Sequence, residues 1–418
     1  MRVHVIGAGL AGLSAALAAS SSGARVTLYE ASPQAGGRCR SFRDETLGVV
    51  IDNGGHVVLG ANAATLAFLD AVGGRAAMRE IAPAAIPFMD LASGETWVLR
   101  PNRGPLPWWL FVPSRRVAGS RLADSLGVFR LLCAASARTV GEALGGENRL
   151  TARLWEPLCV AIMNTSPARA AAQPFARVLR ATLFSGEAAC RALIAARGLS
   201  AAFADPALRR LERLGVEFRS NWRLTGISVE QDRVTQLIFV DRDVAIGPNE
   251  AVVLAVPANV ASALLPGLAV PNDFEAIVNA HYRLNEPASL PGGLPLLGLV
   301  GGLAQWLIAR ENILSVTVSA AGGLVDEPPE SLTRRLWSDV ARALRRPDQP
   351  VPPARLIKER RATIAQTPAG ERLRPQPATK WRNLALAGDW VATGWPATIE
   401  GAILSGGRAW TALRRAEH

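Results

Sequence analysis

Near the start of the chain, Val3-His4-Val5-Ile6 runs into Gly7-Ala8-Gly9-Leu10-Ala11-Gly12. An Ala-rich stretch follows, then a second apolar run, Val26-Thr27-Leu28-Tyr29, closed by Glu30. Few folds accommodate this pattern. It predicts a buried parallel strand, a tight turn, a helix and a second strand. Gly7 permits the turn, Gly9 lets the backbone approach a pyrophosphate, and Gly12 allows helix and strand to pack closely. Leu10 and Ala11 open a helix whose N-terminus favours phosphate. Glu30, with Ala31 beside it, falls eighteen residues after Gly12, where a carboxylate can accept both hydroxyls of a ribose. The competing reading, a Gly-rich turn in an ordinary βαβ unit, leaves the register of strand, helix and acid to coincidence.

The 418 residues, 49% hydrophobic, suffice for a large core. The net charge of +11 is almost wholly arginine, since Lys358 and Lys380 are the only lysines. Such skew reflects either genome composition or attraction to anionic lipid or an acidic partner. Nucleic acid is not expected, because no basic run is interleaved with aromatics. Cys39, Cys133, Cys159 and Cys190 show neither CxxC nor metal-ligand spacing. They predict reduced thiols in the cytoplasm, no disulfide and no metal site. With a strand at the very start, no signal peptide is expected, and no apolar stretch reaches the roughly 18 to 20 residues that spanning requires.

Further along, Gly36-Gly37-Arg38 and Asn53-Gly54-Gly55-His56 follow the first unit. Twin glycines and a guanidinium would close over the pyrophosphate from the side opposite the fingerprint, which favours a resident FAD over an exchanging nicotinamide cofactor. The chain closes with Gly388-Asp389, a loop through Pro396, Thr398 and Ile399, and a helix to about Arg415. That helix start would point its positive end at the flavin pyrimidine edge, with Asp389 near ribityl or pyrophosphate oxygens. Leu224 and Pro257, at the start and end of returning strand patterns, complete the cofactor candidates. The fold expected is α/β: a discontinuous Rossmann-type FAD-binding domain (1–75, 196–260 and 381–418) with inserted α+β substrate-binding segments (76–195 and 261–380). The first insertion reads as helical patches with Pro-rich joints. The second reads as strands near 277–284, 296–300, 314–319 and 354–359 with a helix near 332–344.

These motifs resemble the FAD-dependent amine oxidase and phytoene desaturase superfamily. The blocks Asp52 to Gly60, Leu154-Trp155-Glu156-Pro157-Leu158-Cys159 to Thr165, Gly301 to Trp306, Lys358 to Thr363 and Gly388 to Ala402 are similar to one branch, the squalene-associated hydroxysqualene dehydroxylases of hopanoid clusters. The resemblance covers nearly the whole chain. It implies reductive loss of an allylic hydroxyl, hydride coming from reduced FAD, on a triterpene substrate supplied by squalene-synthase-like enzymes. The runners-up are an oxidative desaturase of a C30 or C40 polyene, an amine oxidase, and a non-catalytic lipid carrier. Amine oxidation is disfavoured because no lysine precedes Lys358. The family usually carries a bulkier polar residue at Gly55.

An acid must help the hydroxyl leave. His56 and His281 are the candidates, with Asn53 and Asn164 to orient a hydroxyl or water and Tyr282 placed to project into the same cavity. The competing reading for either histidine is a core residue donating to a carbonyl. Glu400 reads as a cofactor contact or cap. Finally, residues 104–116 set Trp108 and Trp109 among arginines. This segment reads either as a peripheral membrane contact or as an internal loop over the substrate pocket.

Overall fold

A computed structural model of the chain describes residues 1–112 and 115–416. Its first layer is a five-stranded parallel sheet in the order Glu217–Arg219, Arg25–Tyr29, Arg2–Ile6, Glu250–Leu254, Leu384–Leu386. Counted along the chain this is the order 3-2-1-4-5, that of a doubly wound nucleotide-binding sheet. One face, carrying Val3, Val5, Val26, Leu28, Ala251 and Val253, packs against helices Leu10–Ser21, Ala204–Arg213 and Ile399–Ala416. The other, carrying Ile6, Tyr29, Val252 and Leu254, lies under an antiparallel sheet of Leu224–Glu230, Arg233–Phe239 and Asp243–Ala245 and the helix Ala258–Leu264. Burial on both faces is why these strands read as nearly unbroken apolar runs.

The first and last helices touch through small residues. A Cβ on Gly406 would lie 2.2 Å from the carbonyl oxygen of Ala11, and one on Gly12 would lie 1.8 Å from that of Gly7. Ser14 Oγ donates to the Ile403 carbonyl at 2.8 Å, joining the helices across 389 residues of sequence.

The second layer is a seven-stranded mixed sheet: Ala354–Ile364, Phe274–Arg283, Ile313–Val318, Trp306–Arg310, Leu296–Val300, Ile86–Asp90, Thr96–Leu99. Its back, with Val278, Ala280, Tyr282, Leu314 and Val316, packs on the helix Pro329–Ala343 through Leu332, Leu336 and Trp337. Its front presents the alternate residues. Phe88 and Trp306 meet an apolar helical cluster containing Trp109, Leu131, Trp155 and Phe175. Asn279, His281, Ser315 and Thr317 form a polar ladder beside them.

Segment 76–195 departs from its helical reading. It supplies four short strands, Met78–Glu80, Ile86–Asp90, Thr96–Leu99 and Ala192–Ala195, two of them in the large sheet. One of these strands contains Pro87, although proline cannot donate to a ladder. The structure accommodates it because pairing with Leu296–Val300 begins only at Phe88. The strand Trp306–Arg310 was likewise not anticipated.

Candidate functional site

The ends of the parallel strands carry the glycine turns. Gly7 has φ of 102° and donates to the Tyr29 carbonyl at 2.8 Å, where a Cβ would fall 2.5 Å from the Ala255 oxygen. Gly9 caps the helix Leu10–Ser21 without any side-chain cap, and no atom lies within 4 Å of where its Cβ would be. The first helical N–H groups are therefore uncapped and open, the arrangement a pyrophosphate requires. Gly36, at φ of 107°, folds a second turn against the first, donating to the Ala8 carbonyl at 2.8 Å. A Cβ on Gly37 would sit 3.2 Å from Gly9 Cα.

Glu30 is already engaged within the chain. It accepts the Ala8 N–H at 2.8 Å and the Ser32 N–H and Oγ at 2.9 Å each, which fixes its carboxylate beside the half-buried Ala31 at the strand end. Arg38 reaches across the molecule. Its Nη2 donates to Asp389 Oδ1 at 2.7 Å and its Nη1 to the Ala362 carbonyl. The Asp389 charge raises the Arg38 guanidinium further above its ordinary value. Gly388 and Asp389 in turn sit on Ser405 Oγ and the Arg374 guanidinium. Buried Pro396 and half-buried Thr398 and Ile399 lead into the last helix. Pro257 is exposed beside the fingerprint turn, opening the helix Ala258–Leu264, whereas Leu224 is buried between the sheet layers.

The loop Asn53–His56 joins this groove to the front of the large sheet. Asn279, 2% exposed, holds it. Its Nδ2 donates to the Asn53 carbonyl at 3.3 Å, and its Oδ1 accepts from the Gly55 N–H at 3.4 Å and from Thr317 Oγ1 at 2.9 Å. A Cβ on Gly55 would stand 2.6 Å from Thr317 Oγ1, so this loop seats only because position 55 lacks a side chain. Sequence reasoning passed over Asn279, Ser315 and Thr317. Their alternation along two strands was the available signal, since every second residue shares a face.

His56 and His281 line one small cavity of about 20 Å³, with Asp52, Arg310 and Ser315, room for a single water. His281 Nδ1 lies 2.8 Å from Ser315 Oγ, while its Nε2 is buried without a partner. Burial pulls His281 from 6.5 down to about 4, with Asp52 opposing and Arg310 assisting. Burial also lowers His56, Asp52 opposing and Arg38 assisting. Both imidazoles are neutral at pH 7. Asp52 and Arg310 are paired at 2.6 Å.

Other candidates fall elsewhere. Tyr282, adjacent to His281, points the opposite way and donates to the Thr333 carbonyl at 2.6 Å on the back of the sheet. Asn164, at φ of 47°, is locked between Thr363 Oγ1 at 2.9 Å and the Ala320 N–H at 2.7 Å, so it joins elements and has no free head. Glu400 accepts from the Ala64 and Thr65 N–H groups at 3.0 and 2.8 Å and from Thr65 Oγ1 at 2.7 Å, serving the helix Ala63–Val72. Lys358 donates to the carbonyls of Val325 and Glu327, away from the loop. A separate cleft of about 450 Å³ is lined by residues such as Asp232, Lys380 and Trp381 and by none of the site candidates. In 104–116, Trp108 is exposed and Trp109 buried, while Pro113 and Ser114 lie outside the described residues.

Residues 10–413 match the profile of the flavin containing amine oxidoreductases. The chain belongs to that family. FAD is its cofactor, and the uncapped helix start, the open face of Gly9 and the Arg38 bridge fit it. Among curated relatives, a hydroxysqualene dehydroxylase of Sinorhizobium fredii is 43% identical over 407 residues, 97% of each chain. A second, from Rhodopseudomonas palustris, is 43% identical over 408 residues, again 97% of each chain. Wild-type putrescine oxidase bound to putrescine shares the fold, with a TM-score of 0.71 across 100% of both chains at 14% identity.

Proposed function

We propose that this family member is a hydroxysqualene dehydroxylase, exchanging an allylic hydroxyl for hydrogen to release squalene and water. The observation that carries the reading is 43% identity across 97% of the chain to enzymes of that name. Reduced FAD, when bound, supplies the hydride. What the protein must add is a proton for the leaving hydroxyl and an environment that tolerates an allylic cation.

The front of the large sheet supports both. Trp306, half-buried on that front and met edge-on by the buried Phe88 at 5.4 Å, is the aromatic side chain this reading assigns to the cation. The neighbouring loop brings His56 beside the buried His281. In this reading His56 gives the proton, and His281, held by Ser315, keeps its second nitrogen for a hydrogen bond to the hydroxyl or an intervening water. Asn53, whose backbone is fixed by Asn279 and Arg40, orients the hydroxyl. Because burial lowers both histidines, His56 is neutral at rest and in this reading takes up a proton in each turnover before passing it to the hydroxyl. The same reading has the enzyme working in the cytoplasm, supported by its four free cysteines, on substrate made by squalene-synthase-like enzymes.

Anaerobic incubation of photoreduced holoenzyme with hydroxysqualene tests it. Squalene should form in step with return of the oxidised flavin spectrum, and His56→Phe should slow this about 10²-fold or more with FAD content unchanged. A flavin that stays reduced beside intact substrate overturns the assignment.

A further inference from the structure

Of thirteen large hydrophobic side chains that stand exposed among the described residues, six fall within residues 106–129: Leu106, Trp108, Phe111, Leu122, Leu126 and Phe129. Leu106 is 75% and Leu126 62% exposed. All but Leu106, which just precedes the first, sit on two neighbouring helical pieces, Trp108–Phe111 and the run Leu122–Ser125 into Leu126–Leu132. Along the second piece, Leu122, Leu126 and Phe129 follow the i, i+4, i+7 spacing of one helix face. The opposite face of that helix, with Val128 and Leu131, is buried in the apolar cluster behind the site. A short helix apolar on both sides, one of them facing outward, has a second apolar medium to meet.

The charges around this ridge state what that medium is. Residues 103–130 hold five arginines, Arg103, Arg115, Arg116, Arg121 and Arg130, against a single acid, Asp124. That carboxylate is occupied by the Arg121 backbone N–H at 2.8 Å. Arg115 stacks 4.8 Å above the Trp108 ring, placing a cation beside an exposed indole. No described helix is long and apolar enough to cross a membrane.

We propose that this ridge docks the protein on an anionic lipid bilayer, its six apolar side chains entering the interface and its arginines meeting lipid phosphates. The surface extends well past the Trp-rich loop to the helix ending at Leu132. Trp109, Leu110, Val128 and Leu131 lie directly beneath the ridge, in the cluster that reaches Phe88 and Trp306 on the front of the sheet. A docked bilayer is thereby set against the apolar side of the site. The inference does not depend on which lipid is transformed, because its readout is binding.

Flotation of the FAD-loaded protein with vesicles of phosphatidylcholine and phosphatidylglycerol in equal parts tests it, against phosphatidylcholine alone. Wild type should float with the anionic vesicles, and high salt or their absence should weaken partition about tenfold. Leu126→Asp and, separately, Phe111→Ser should each weaken it at least tenfold, whereas Val240→Asp, at an exposed site elsewhere, should not. Bound flavin and an unchanged melting temperature certify that each variant is folded. The proposal is overturned if wild type floats with neither vesicle, or if both ridge variants float as wild type does. It is equally overturned if they abolish self-association on size exclusion and leave flotation intact, which would assign the ridge to a second copy.

Discussion

His281 is a buried imidazole with one nitrogen on Ser315 and the other on no protein group. Its folded-state value, about 4 against 6.5, means that below pH 6.5 the unfolded chain binds a proton the folded chain refuses. Stability is therefore full above pH 6.5 and is lost as pH falls toward 4, on the order of 2 kcal/mol between pH 7 and pH 5 from this residue. Denaturant unfolding of His281→Gln at those two pH values should show a smaller acid loss than wild type; an equal loss would mean that the imidazole is not buried neutral. At this scale the sequence was partly legible. His56 and His281 stood out as rare titratable groups in an apolar chain, and the two do share a cavity. Asn279 and Ser315 did not stand out, because nothing local marks them. Their role arises when the register places Asn279 opposite Thr317 and His281 opposite Ser315.

Elements whose purpose is to bury both faces were the easiest to read, and the parallel strands fall close to their apolar runs. Short strands were not, as Ile86–Asp90 shows: five residues interrupted by proline give no period to follow. Helix ends illustrate a further loss. The helix Ala63–Val72 has no cap from Asn62, and its first N–H groups are met by Glu400, 336 residues later. Residues three apart can announce a capping box, but no spacing announces a cap from a distant helix. Glu400→Gln keeps one acceptor and loses the charge, and should cost about 1 to 2 kcal/mol. A melting temperature lowered by several degrees would be the sign, and an unaltered one would show that solvent already satisfies that turn.

Across the whole molecule, the FAD groove is a joint between distant parts of the chain. Arg38 connects the second glycine turn to Ala362 on the edge of the large sheet and to Asp389 in the closing segment. Arg38→Ala should raise the FAD dissociation constant on the order of tenfold, since charge-assisted bonds contribute about 1.5 to 3 kcal/mol and this side chain is partly exposed. The rise in melting temperature that FAD gives to apoprotein should shrink accordingly, and would be unaltered if the bridge were only ornamental to the fold. That the two glycine turns and the distant Gly-Asp lie side by side was readable from motif chemistry; how the large sheet seats against them was not, because it rests on Gly55 meeting Thr317. The contact of Ser14 with Ile403 bears on how such a chain is made. At about 5 to 20 residues per second, the first helix leaves the ribosome tens of seconds before its partner helix is synthesised. Through that interval its small, apolar face has no native cover, so completion of the nucleotide-binding half waits until Ile399–Ala416 has been made, and a chain stopped before that helix would leave the first one without its partner.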